Sequence, residues 1–307
     1  MEVDGGALVF REGGERIGTV PMAPLERVFL RGDVALKANV LAKLGKAGVG
    51  VVVLSGIKAE PVLLMPKPHG DAFRRIAQYQ AFLSAEIRRR FAGEIVAAKL
   101  TSQRNFLEEL RAANRGHERE IASFMQRIEE LLPLVQKAAN LAELLGLEGK
   151  AAAEYFSAIK AVLPASLRFT GRNRRPPRDP FNAVLSLGYT LLHAESVKAL
   201  HGVGLDPYIG FFHALDYGRE SLACDFVEAF RVHADRFAFQ SFRDGTLRPE
   251  DFTASGEACS MGKAGRERFY AAWEGAVPDL RRRLERTAVR WADAIVDAGS
   301  PPTSAFS

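Results

Sequence analysis

The chain has 307 residues, 47% of them apolar, with a formal net charge of +5 and two cysteines. This is the composition of a globular protein long enough for one large or two ordinary domains, and it excludes a low-complexity or fibrous chain. No apolar run approaches the ~20 residues that cross a bilayer. The start MEVDGGALVF lacks a basic region and cleavage site, and Cys224 and Cys259 form neither a CxxC nor a zinc spacing, so a cytoplasmic protein without a membrane or structural zinc is expected.

The first seventy residues read as strands. ALVFREGGERIGTVP is a hairpin about Glu12-Gly13-Gly14-Glu15, and RVFLRG, VGVVVLSG and PVLLMP are short apolar runs bounded by turn residues. No GxGxxG follows the run at Val49–Gly56, which argues against a dinucleotide fold there. After Asp71 the period turns helical almost to the end, through FRRIAQYQAFLSAEIRRRFAGEIVAAKL, EREIASFMQRIEELLPLVQKAANLAELL, AAAEYFSAIKAVL, PFNAVLSLGYTLLHAES and PDLRRRLERTAVRWADAIV. The expected fold class is α+β, a small N-terminal β-sheet domain (residues 1–85) followed by a larger all-α domain (86–300). A disordered tail is expected at 301–307.

Candidate chemistry lies in the helical part. Glu154 sits on an alanine-rich helix with small neighbours one turn away, which leaves room for something bulky to approach its carboxylate; the plain alternative is a solvated glutamate. Next comes Arg168-Phe-Thr-Gly-Arg-Asn-Arg-Arg-Pro-Pro-Arg178, a Gly/Pro-broken loop with Arg168, Arg172, Arg174, Arg175 and Arg178 and no acidic neighbours of its own. Arginine forks in such a loop suit phosphate oxygens. In GLDPYIGFFHALDYGRESLACDFVEAF, Leu222, Phe226, Val227 and Phe230 recur at helical spacing and put Asp225 and Glu228 on neighbouring lines of one helix. Two close carboxylates repel unless a cation or proton lies between them, and with His213 upstream they make a nitrogen-and-oxygen set suited to Mg²⁺ or Mn²⁺.

Taken in order, Glu154, the RNRRPPRDPFNA loop, PFNAVLSLGYTLL, LDPYIGFFH, SLACDFVE and MGKAGRERFY resemble the CRISPR adaptation integrases, metal-dependent endonucleases that insert new spacers. The likeness runs over nearly the whole length. It implies an N-terminal β domain, a helical catalytic domain, a homodimer and a small ferredoxin-like partner protein that fixes fragment length. It also implies metal ligation by Glu154, His213 and Glu228 with Asp225 beside them; the choice of Glu228 over Asp225 comes from this likeness, since spacing does not decide it. The implied reaction is attack of a DNA 3′-hydroxyl on a phosphodiester at a repeat edge, with DNA cleavage when water is the nucleophile. The chain departs from many relatives at Ala229 and Val232, where they carry proline, and at Ser186, where they carry asparagine. Two other readings stand beside this one. The first is a DNA-binding scaffold whose degenerate metal site only organises the core. The second, a phosphotransferase or nucleotide hydrolase suggested by Met261-Gly-Lys-Ala-Gly265, lacks the GxxxxGK[ST] spacing and a preceding strand.

Overall fold

The computed structural model describes residues 1–299 apart from 23, 24, 26, 56–59 and 66–69; the tail at 301–307 lies outside the described residues. The chain forms two compact units, residues 1–71 with 201–204, and residues 72–200 with 205–307.

The first unit holds two three-stranded sheets. Strands β1 (Glu2–Asp4), β2 (Ala7–Glu12) and β3 (Glu15–Pro21) form an antiparallel meander. Gly13 and Gly14 both adopt positive φ (58° and 93°) at the β2–β3 turn, as a two-residue hairpin of matching twist requires. Strands β4 (Arg27–Arg31) and β5 (Gly50–Ser55) run parallel, and β6 (Glu60–Leu64) returns antiparallel to β5. Parallel neighbours need a crossover, supplied by helix α1 (Ala38–Lys46). Its Val40 and Leu44, one turn apart, enter the core with Leu8, Val28, Leu30, Val49 and Val51. The sequence pattern predicts strands only in this region. The helix is short, and its apolar stripe is two residues deep.

The second unit is a helical assembly: α2 (Ala72–Leu83), α3 (Ala85–Ala113), α4 (Glu118–Lys137), α5 (Leu141–Val162), α6 (Pro180–Gly202), α7 (Ser221–Glu228), α8 (Arg231–Arg243) and α9 (Lys263–Gly299). The unit boundary falls after Asp71 rather than at 85, because α2 packs along α9 and against α3. Ser84 separates α2 from α3, its hydroxyl capping the Ile87 amide. Helix α3 is the spine. Phe91, Ile95, Val96, Leu100, Phe106, Leu107 and Leu110 are buried along it, and it packs on α4, α5, α7 and α8. One departure from an all-α domain is the hairpin of β7 (Phe252–Ser255) and β8 (Ala258–Met261), which turns at Gly256. Among the described residues no helix is long and apolar enough to cross a membrane.

Candidate active site

Helix α7 buries its apolar residues Leu222, Phe226 and Val227 and, with them, Asp225 and Glu228, which are 0% and 3% exposed. Asp225 explains its own burial through its partners. Its carboxylate accepts the backbone amides of Phe211 (2.5 Å), Phe212 (2.9 Å) and His213 (2.8 Å), and lies 2.7 Å from Nδ1 of the His213 imidazole. A carboxylate accepts, so Nδ1 presents a proton to Asp225; Nε2 stands 4.0 Å from Oε1 of Glu228. The loop bearing His213 is held from other sides too. The buried Gln78 amide donates to the carbonyls of Asp206 and Ile209 and accepts the Asp206 amide, Arg88 Nε donates to Phe211 O (3.0 Å), and Phe211 stacks on Phe91 at 4.7 Å. Gly210 makes this approach sterically feasible, since a Cβ there would lie 2.6 Å from the Ser221 carbonyl carbon and 2.7 Å from Asp225 Oδ2.

Glu228 faces two cations. Arg231, one turn on, donates to Oε1 at 2.7 Å, while Oε2 meets the Lys99 ammonium of α3 at 2.5 Å. Oε2 is fully buried and the Lys99 contact lacks hydrogen-bond geometry, so the attraction there is coulombic. Burial alone pushes the Glu228 carboxyl up, yet Arg231, then Lys99 and His213, outweigh it and hold the group down at about 2. The same Lys99 ammonium pairs with Glu148 of α5.

Glu154 is elsewhere. Its Oε2 accepts from Arg127 Nε of α4 at 2.6 Å, in a pair where both side chains are partly exposed. Six residues at 3.6 per turn set Glu154 about 120° around α5 from Glu148. The carboxylate that shares a cation with Glu228 is Glu148, and the structure does not bring Glu154, expected in that place, to the group. The signal for Glu148 was present. It falls in the buried stripe of Leu144, Ala151 and Tyr155, where a charged residue needs a partner, and Gly149 follows it directly.

The family profile described as CRISPR associated protein Cas1 matches residues 1–275. The CRISPR-associated endonuclease Cas1 of Thermodesulfovibrio yellowstonii is 38% identical over 298 residues, covering 92% of this chain and 93% of its own. A second, from Thermus thermophilus, is 35% identical, covering 96% and 88%. The chain belongs to the Cas1 family. Among solved structures, a Cas1 protein from Thermotoga maritima superposes with a TM-score of 0.82 at 22% identity, covering 96% of this chain and 93% of its own. A casposase bound to integration product superposes at 0.81 and 21% identity, covering 98% and 89%. These two share the Cas1 fold described above.

In this Cas1 chain the arginine loop divides into two kinds of residue. Arg172 is drawn inward: Nη1 donates to Asn182 Oδ1 (2.7 Å) and Nη2 to Ser186 Oγ (3.3 Å), and its guanidinium lies over the Tyr189 ring. Burial lowers its pKa. Ser186, the departure from asparagine, thus still serves as a partner of Arg172. Arg168, Arg174 and Arg175 are exposed. Arg178 is also exposed but pairs with Glu257 at 2.9 Å, an acidic partner from outside the loop. The β7–β8 hairpin that carries Glu257 also anchors the loop backbone, because the Cys259 amide donates to Pro177 O at 2.7 Å. Between this loop and α5 lies a cavity of about 540 Å³ lined by Glu148, Phe156, Lys160, Arg172 and Arg174. Basic groups thus share a groove with one of the clustered carboxylates.

Among the described residues no three His, Cys, Asp or Glu side chains close on one point as placed. The donor chemistry nevertheless fits a hard divalent cation. Two carboxylates share the Lys99 ammonium, so the point between Glu148 and Glu228 already holds a positive charge, Nε2 of His213 lies 4.0 Å from Glu228, and Asp225 supports the imidazole from the other side.

Proposed function

We propose that this chain is a metal-dependent DNA endonuclease and integrase that inserts spacer DNA into a CRISPR array by transesterification of a fragment's 3′-hydroxyl onto a repeat phosphodiester. The observation that carries this reading is that Glu148 and Glu228 share one cation, the Lys99 ammonium, while Nε2 of His213 lies 4.0 Å from the other oxygen of Glu228 and Asp225 backs the imidazole. Relatives named as endonucleases and a neighbour titled as a casposase on its integration product support it. Glu148, Glu228 and Nε2 of His213 would hold Mg²⁺ or Mn²⁺, which when bound polarises the scissile phosphate and lowers the pKa of the attacking hydroxyl. Asp225 fixes the imidazole tautomer and keeps the 211–213 backbone against α7. Lys160 and Arg174 along the groove beside Glu148, with the exposed Arg175 next to Arg174 in the chain, attract the DNA backbone and set its register without reading sequence.

A homodimer through the first unit agrees with the exposed apolar residues Ile17, Val20, Val62 and Leu64 on its strands. Two solved neighbours are titled as Cas6-RT-Cas1–Cas2 complexes, which supports a Cas2 protein as the partner of this chain.

The scaffold reading keeps one observation in its favour, the lysine that already neutralises the carboxylate pair. Strand transfer separates the two. A labelled fragment with a free 3′-hydroxyl should join a supercoiled repeat plasmid in Mg²⁺ or Mn²⁺, but not with chelator or a 3′-deoxy end. Equal joining with and without metal, or none under any condition, overturns the catalytic reading.

A further inference from the structure

Lys99 sits in the buried stripe of α3 between Val96 and Gln103, with its side chain 7% exposed. Lysine is almost never buried without a partner, and here the ammonium touches Glu148 of α5 and Glu228 of α7, two helices far apart in the chain. Glu228 adds Arg231 on its other oxygen, so two carboxylates face two cations and the local charge is balanced. Adding a divalent ion between the same carboxylates, with the ammonium still in place, would set like charges side by side. Lys99 and the ion therefore exclude one another. The lysine's four-carbon stem allows this exchange, because its head can swing away while the stem remains packed against α3.

We propose that Lys99 is an internal counter-cation that holds Glu148 and Glu228 together in the metal-free protein and competes with the divalent ion for the place between them. The proposal rests on the metal reading above. Its consequence is that the lysine sets the ion concentration at which the site loads, while the empty site stays assembled instead of being forced apart by repulsion.

Mn²⁺ titration by calorimetry on the full chain tests this, with thermal midpoints measured with and without Mn²⁺. Lys99→Met and Lys99→Gln should bind Mn²⁺ at least about tenfold more tightly than wild type, because a charge of the same sign has left the site. Their metal-free midpoints should fall, saturating Mn²⁺ should raise them further than it raises wild type, and Lys99→Arg should resemble wild type in both measurements. If Lys99→Met does not fold alone, Lys99→Gln decides; recovery of either by Mn²⁺ supports the exchange, and failure of both with Mn²⁺ present overturns it. Folded variants with unchanged or weaker affinity also overturn it, which a merely structural lysine would produce. Glu148→Gln separates this failure from that of the metal centre. If wild type binds Mn²⁺ and Glu148→Gln does not, the centre stands and only the role of Lys99 falls. If no variant binds Mn²⁺, both fall.

Discussion

Replacing Glu148 by glutamine removes one charge from the Lys99 bridge while leaving the shape of α5 unchanged, and Glu154→Gln on the same helix provides the matched comparison. Glu154 and Arg127 are 30% and 44% exposed in their pair, a setting in which an ion pair contributes about 0.2–1 kcal/mol. Glu154→Gln should therefore lower stability by at most about 1 kcal/mol and leave cleavage and strand transfer intact. Glu148→Gln should lose about 1.5–3 kcal/mol of stability, the usual contribution of a hydrogen bond between charged groups, because Lys99 keeps Glu228 as its second partner. Its effect on rate should be far larger. A ligated ion supplies several kcal/mol of charge stabilisation in the transition state, and a loss of about 4 kcal/mol at 1.36 kcal/mol per decade is about a thousandfold. Single-turnover strand transfer at 25 °C in Mn²⁺ and in Mg²⁺, on protein verified as folded by circular dichroism, compares the two variants directly. Near wild-type rates for Glu148→Gln together with an inactive Glu154→Gln would refute the assignment and restore Glu154 as the third carboxylate.

Asp225→Asn should weaken Mn²⁺ binding about 10–100-fold, as expected when the group that orients a ligating imidazole is removed, and calorimetry reads this directly; unchanged affinity would reduce Asp225 to a loop anchor. Arg174→Ala with Arg175→Ala should weaken duplex binding for all sequences and shallow the salt slope by about 0.9 for each phosphate that is no longer neutralised, without lowering the thermal midpoint. Arg172→Ala should instead cost about 1–3 kcal/mol of stability, because Ser186 Oγ loses the guanidinium donor and Asn182 Oδ1 keeps only the Asn173 amide; an unchanged midpoint would return Arg172 to the solvated surface. His233 is depressed to about 4 by burial and by Arg283, so the folded state refuses a proton that the unfolded chain takes up below 6.5. The stability from this group is complete above pH 6.5 and is lost as pH falls from there through 4. Urea midpoints should drop over that window, with a shallower slope in His233→Gln; identical slopes would place the acid sensitivity elsewhere.

His213, Asp225 and Glu228 were legible because charged and polar residues interrupt an apolar helical period, and such interruptions carry local information. Which carboxylate orients and which faces the cation was not, since Asp225 takes its role from three backbone amides of a loop a dozen residues upstream. Lys99 was hidden for a related reason: it looks like an ordinary helix charge, and only the packing of α3 against α5 and α7 brings it to Glu148 and Glu228, whereas Glu148 itself was marked by its place in the buried stripe of α5. The arginine loop was legible as composition, but its division into an inward Arg172, a paired Arg178 and exposed Arg174 and Arg175 depends on α6 and on a hairpin some eighty residues later. The two-part α+β architecture followed from the change of period near residue 70. Helix α1 and the β7–β8 hairpin were missed because each is too short for its period to stand out.

Gly210 has a consequence for reading variation in this chain. It would touch neither DNA nor ion, yet even one added methyl group would push the His213 loop off α7 and turn the Asp225 carboxylate away from its three amides. A mutational scan scored by activity alone would rank this position beside the ligands, and a scan scored by expression would rank it far lower. The gap between those two rankings separates residues that perform chemistry from those whose emptiness allows it.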